Sequence, residues 1–143
     1  MARPPTTSGG PGLTRAMMES IRQVESLLPG VEGSDEVSDP RWQAIITLEP
    51  LIESAPEVLW PFITRWGSHP NEDLRMAIAT CLLEHLLEFH FTEYFPRVEA
   101  LATSDLLFGE TFLFCSLFGQ AKTPRNRKRF AQLKKTILSS SGW

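Results

Sequence analysis

The segment Asn71-Glu-Asp-Leu-Arg-Met-Ala-Ile-Ala-Thr-Cys-Leu-Leu-Glu-His-Leu-Leu87 constrains the fold more than any other part of the chain. Leu74, Ala77, Ile78, Cys81, Leu82 and Leu86 recur with the period of one face of an α-helix. Asn71 is placed to accept hydrogen bonds from the first free amides, and Glu72 and Asp73 sit where the helix dipole is positive. The spacing predicts a helix over 71–88 whose face can be buried only against neighbouring helices.

Those neighbours are marked by prolines, glycines and caps. Residues 1–12 are rich in Pro, Gly, Thr and Ser and read as a disordered lead. Thr14 caps a first helix to Leu28, with Met17, Ile21, Val24 and Leu28 on one side and Pro29-Gly30 as its stop. Val31 to Ser38 is an acidic linker. Asp39-Pro40 opens a helix to Ser54, bent at Pro50, with Trp42, Ile45, Ile46, Leu48 and Ile52 apolar. Pro56 opens another through Leu59, Phe62, Ile63 and Trp66, kinked or divided at Pro61. After 71–88, Thr92 caps a helix carrying Tyr94, Phe95, Val98 and Leu101, and Ser104 caps one over Asp105 to Phe118 that Gly119 ends. Thr123-Pro124 starts the last helix, with Phe130, Leu133, Ile137 and Leu138 inward. No alternating strand pattern of useful length occurs, so the expected class is all-α.

Asp73-Leu-Arg-Met-Ala-Ile-Ala, followed by leucines a turn or two later, resembles the second helix of a HEAT repeat. Asp39-Pro-Arg-Trp-Gln-Ala44 has the same acid–Arg–Ala order in a looser register, and Ser104-Asp105-Leu106 opens a third such helix without the arginine. The resemblance covers residues 39–118. It implies a short, irregular HEAT-like α-α superhelix of roughly two and a half to three helical hairpins, an armadillo-type stack. The single domain then runs over 13–139, with a basic capping helix at 124–138.

The net charge of −3 conceals a division. Residues 1–110 hold seven arginines and all seventeen acids, a balance of −10; residues 111–143 hold seven cations and no acid. With no hydrophobic leader and no apolar run near the ~20 residues of a membrane helix, the expectation is a cytoplasmic protein that does not enter a membrane.

The candidate chemistry is sparse. Cys81 and Cys115 fall inside apolar helical patterns and read as core residues. Cys81 and His85 could supply two zinc ligands with His90 or Glu88 as a third, but no second Cys/His pair completes a cage. No metal or cofactor is expected, and no constellation of nucleophile, base and oxyanion site points to an enzyme. Two acid pairs, Glu49/Glu53 and Glu84/Glu88, lie on helices that a HEAT-like stack would set side by side, making an acidic strip for a cationic ligand. Arg75 reads as structural, pairing with an adjacent acidic turn. Small all-α bacterial proteins of this shape and charge look like immunity or antitoxin partners that cover the basic cleft of a nuclease toxin. The expected function is therefore protein–protein interaction with a basic partner through Glu49, Glu53, Glu84 and Glu88. The alternative is a HEAT-like protein that binds DNA or RNA through Arg125, Arg127, Lys128 and Arg129, disfavoured because the acidic body repels phosphate.

Overall fold

The computed structural model describes residues 10–28 and 39–140. The linker expected over 31–38, the Pro29-Gly30 stop and most of the N-terminal lead lie outside them. Among the described residues there are helices and turns but no strand, so the chain is all-α. Helix α1 spans Gly10–Glu25. It starts before the cap expected at Thr14, because Pro11 is compatible with a helix's first turn.

Asp39 caps α2, Pro40–Ile46, its carboxylate accepting from the Arg41 N–H. Pro50 does not bend a long helix, as expected, but opens a separate one, α3, Pro50–Ser54. Its missing N–H is harmless at a helix start and disruptive inside one. Residues 47–49 join the two through short i→i+3 bonds from Leu48 to Ile45 and from Glu49 to Ile46. Helix α4 runs unbroken over Pro56–Gly67 despite Pro61.

The Asn71 cap is present: its side-chain oxygen accepts from the Leu74 N–H at 3.1 Å above α5, Glu72–Ile78. The expected single helix is then interrupted by a π-helical turn, Ala79–Leu83, which closes with an i→i+5 bond from the Glu84 N–H to the Ala79 carbonyl. A π-turn inserts one residue into the helical phase. Leu83, Leu86 and Leu87 therefore take up the core-facing phase, and His85, which the uninterrupted period puts on the apolar face, moves to its edge.

Helix α6, Glu84–Ser104, continues without the cap expected at Thr92. It breaks at His90, whose φ of −138° and ψ of 44° are not helical. The side chain of Gln120 fills that break. Its oxygen accepts from the Phe91 N–H at 2.9 Å and its amide donates to the Phe89 carbonyl at 2.7 Å.

Asp105 rather than Ser104 caps α7, Leu106–Leu113, accepting from the Phe108 N–H. Gly109 interrupts the apolar pattern for a packing reason: a Cβ there would come within 2.8 Å of the Ala102 carbonyl oxygen of α6. Helix α7 ends at Leu113, short of the expected Phe118. The Lys134 ammonium donates to the carbonyls of Leu113 and Cys115, and Glu84 accepts from the Ser116 N–H, so the released backbone groups are satisfied by side chains. A 3-10 turn, Gly119–Lys122, leads to α8, Pro124–Ser140. Phe130, Leu133 and Ile137 of α8 are buried as expected, but Leu138 is exposed.

Helices α2, α5, α7 and α8 pack in that order, each on the next, while α4 packs on α1, α3, α5 and α7 and α6 on α3, α7 and α8. The core between them is aromatic-rich. Phe91 stacks on Phe95 at 4.5 Å, and Phe112 meets Phe130 of α8 at 4.7 Å. Truncating such a ring costs ~3–5 kcal/mol. Two buried arginines join successive helices: Arg41 of α2 pairs with Asp73 of α5 at 2.9 Å, and Arg75 of α5 pairs with Glu110 of α7 at 2.8 Å. Arg75 is thus structural, but its acid comes from another helix rather than from the adjacent turn. It also donates to the carbonyls of His69 and Pro70.

Candidate functional site

The site begins with two local irregularities. Pro50 starts α3 and so sets Glu49 and Glu53 at its first turn. The π-turn and the His90 break set His85, Glu88 and Phe89 on the facing part of α6. Between them lies a cavity of about 390 Å³, lined by Glu49, Pro50, Ile52, Glu53, His85, Glu88 and Phe89. Three carboxylates from two helices thus surround an apolar floor. Phe89 is 39% exposed, unusual for its ring size, and Glu49 and Glu53 are open to solvent.

His90 fastens the two walls, its Nε2 lying 2.8 Å from the Ile52 carbonyl of α3. Gly119 fixes the back of Glu88. Its φ is +51°, and a Cβ there would come within 2.6 Å of the Glu88 Cγ and 2.8 Å of the Glu88 carbonyl oxygen.

His85 is held on three sides. Its Nδ1 lies 2.7 Å from Glu88 Oε1, its Nε2 lies 3.6 Å from Glu84 Oε2, and its ring stacks on Phe118 at 5.3 Å. Such an imidazole is braced by carboxylates, which leaves Glu88 partly committed and Glu49 and Glu53 as the open anions.

Of the four glutamates expected to form one strip, the structure brings Glu49, Glu53 and Glu88 together and separates Glu84 from them. Glu84 is 7% exposed and turned to the Ser116 amide of the loop after α7. Burial raises its carboxyl above the ordinary range, although the Ser116 hydrogen bond and His85 oppose this. Its work is internal, and it is withdrawn from the candidate surface.

Both cysteines are free thiols in the core. Burial, reinforced by the Glu49 carboxylate, pushes the Cys81 thiol up to about 11, and burial pushes Cys115 higher still. Thiols so shifted stay protonated near neutrality and make poor nucleophiles. Among the described residues, no three His, Cys, Asp or Glu side chains converge to hold a metal ion. None of the described helices is long and apolar enough to cross a membrane.

The basic residues of the alternative lie on α8. Arg125, Arg127 and Lys128 are exposed, whereas Arg129 is drawn over the Phe95 and Phe91 rings at 4.9 and 5.8 Å. Phe89 belongs to the aromatic cluster at helix ends whose exposed members are natural partner anchors, whereas sequence reasoning missed His85 as a pocket wall. Neither the π-turn nor the His90 break has a Pro or Gly to announce it.

Comparison with known proteins finds no matching family model, no matching curated protein and no matching solved structure.

Proposed function

We propose that this chain is a non-enzymatic protein–protein interaction module whose acidic pocket takes a cationic side chain or loop of a basic protein. The observation that carries this reading is the convergence of Glu49, Glu53 and Glu88 from two helices around the exposed ring of Phe89. A guanidinium or ammonium group is recognised by carboxylates at its head, and the aliphatic stem or an aromatic face takes up the rest of the side chain. Charge of one sign on a pocket also speeds encounter with a partner of the other sign.

The architecture of the proposal is a short HEAT-like stack. Its support is the succession α2, α5, α7, α8 and the repeated Arg-to-acid link, spanning 32 residues at Arg41–Asp73 and 35 at Arg75–Glu110. Within that frame the role that fits best is an immunity or inhibitor protein that caps a basic partner such as a nuclease toxin.

The test is titration of hexa-arginine and of a basic nuclease against the whole chain and charge-reversed variants. Glu53→Lys and Glu88→Lys should each weaken binding ~10-fold or more, by loss of attraction plus like-charge repulsion. Glu84→Gln should leave it within about twofold. Equal binding by all four proteins refutes the reading.

The second reading, nucleic-acid binding, draws its support from an α8 that carries exposed Arg125, Arg127 and Lys128 and no acid. It would be favoured by binding to random duplex that weakens steeply with salt and disappears when these residues are neutralised.

A further inference from the structure

We infer that α8 is a second docking surface and that its occupant is the acidic pocket of another copy of this chain. The inference rests on the cation-gripping reading of that pocket, for which it names one partner.

Helix α8 holds six cations and no acid. Three of them are used inside the molecule: Arg129 lies over Phe91 and Phe95, Lys134 donates to the carbonyls of Leu113 and Cys115, and Arg127 donates to the Lys122 carbonyl. Arg125, Lys128 and Lys135 remain exposed and fall, with Ala131 between them, on the side opposite Phe130, Leu133 and Ile137. Among the described residues no ion pair engages any of the three. At ~1.5 Å rise per residue the stripe is about 15 Å long. It presents three cations spaced along one side of α8.

The pocket supplies the complement: Glu49, Glu53 and Glu88 around Pro50, Ile52 and Phe89. The division holds for the chain at large, −10 before residue 111 and +7 after it. A second copy is always present at the same concentration and always carries the matching surface. A nucleic acid meets the same stripe, but it must also approach a body of strongly like charge.

The two surfaces are different patches, so the contact is head-to-tail and can propagate or close into a ring. Because it joins exposed charges, it should be strong at low salt and fade as the Debye length falls from ~10 Å at 0.1 M to ~3 Å at 1 M.

The test is sedimentation velocity of the whole chain over a range of concentration and salt, with two charge-reversed variants checked for fold by circular dichroism. One is Arg125→Glu with Lys128→Glu; the other is Glu49→Lys with Glu53→Lys. The wild-type mass should rise with concentration at low salt and return to the monomer at high salt. Each variant alone should associate ~10-fold or more weakly. A mixture of the two pairs the intact pocket of one with the intact helix of the other, and the Lys-bearing pocket with the Glu-bearing helix, so it should restore the association that each variant alone has lost. Wild type that stays monomeric at low salt, or association untouched by either pair of reversals, overturns the inference. Hexa-arginine separates this failure from that of the pocket reading. A monomer that still binds the peptide loses only self-docking, and a chain that ignores the peptide loses the cation-gripping pocket as well. A monomer whose exposed α8 cations instead bind random duplex gives the stripe to nucleic acid and also overturns the inference.

Discussion

Gln120→Ala should destabilise the chain by about 2 kcal/mol, through the two bonds its side chain makes across the break in α6. The break at His90 frees the Phe91 N–H and the Phe89 carbonyl, and the Gln120 carboxamide takes both, at 2.9 and 2.7 Å. Phe91 is fully buried, so its amide without a partner costs ~1–3 kcal/mol. The Phe89 carbonyl lies near solvent, where water replaces most of the lost bond, and adds ~0.5–1 kcal/mol. A total near 2 kcal/mol is a ~30-fold change in the folding equilibrium and lowers Tm by about 8 °C. Urea unfolding followed by circular dichroism measures it, with the exposed Gln132→Ala as a control expected within ~0.5 kcal/mol of wild type. The pocket should suffer too, since Glu88 and Phe89 adjoin the break, so hexa-arginine binding should weaken alongside stability. A Gln120→Ala protein that unfolds with the control would refute the claim that this side chain holds the break open.

Gly119→Ala should cost ~1–2 kcal/mol for its left-handed backbone and more for the overlap with Glu88; a melt unchanged within 0.5 kcal/mol would contradict it. Arg75→Met leaves Glu110 and two carbonyls without their donor. It should cost about 3 kcal/mol, the low end for a broken buried pair because Glu110 can turn to water; chemical denaturation reads this directly. Glu84 has a raised folded-state pKa, so its contribution is fully present below the ordinary value of 4.5 and is lost as pH rises through the raised one. Glu84→Gln keeps an oxygen for the Ser116 amide and should therefore gain stability relative to wild type between pH 4 and pH 8, seen in paired urea titrations. A variant that loses ground as pH rises would reverse the sign and the argument.

The helices were legible because apolar periodicity and caps are local signals. Asn71 and Asp39 cap where the sequence says they should, and Leu74, Ala77, Ile78, Cys81, Leu82 and Leu86 are all buried. What escaped the sequence depends on partners far along the chain. The π-turn at 79–83 and the break at His90 are stabilised from the loop after α7, through Ser116, Gly119 and Gln120, some thirty residues away. Those irregularities decide which glutamates face the cavity. Spacing alone makes Glu84 and Glu88 equivalent on one helix, yet one is sealed against the Ser116 amide and the other lines the opening. Glu49 and Glu53 are exposed for a different reason: Pro50 opens a new helix, and the acids flanking it sit on its first turn.

The most direct measurement is a double-mutant cycle by calorimetry, with hexa-arginine binding to wild type, Glu53→Gln, Glu88→Gln and the pair. If the two carboxylates grip one cationic group from opposite walls, each single change weakens binding and the double change costs less than their sum, a coupling of ~0.5 kcal/mol or more. Strictly additive losses, or no loss at all, would mean that the glutamates of α3 and α6 do not act as one site.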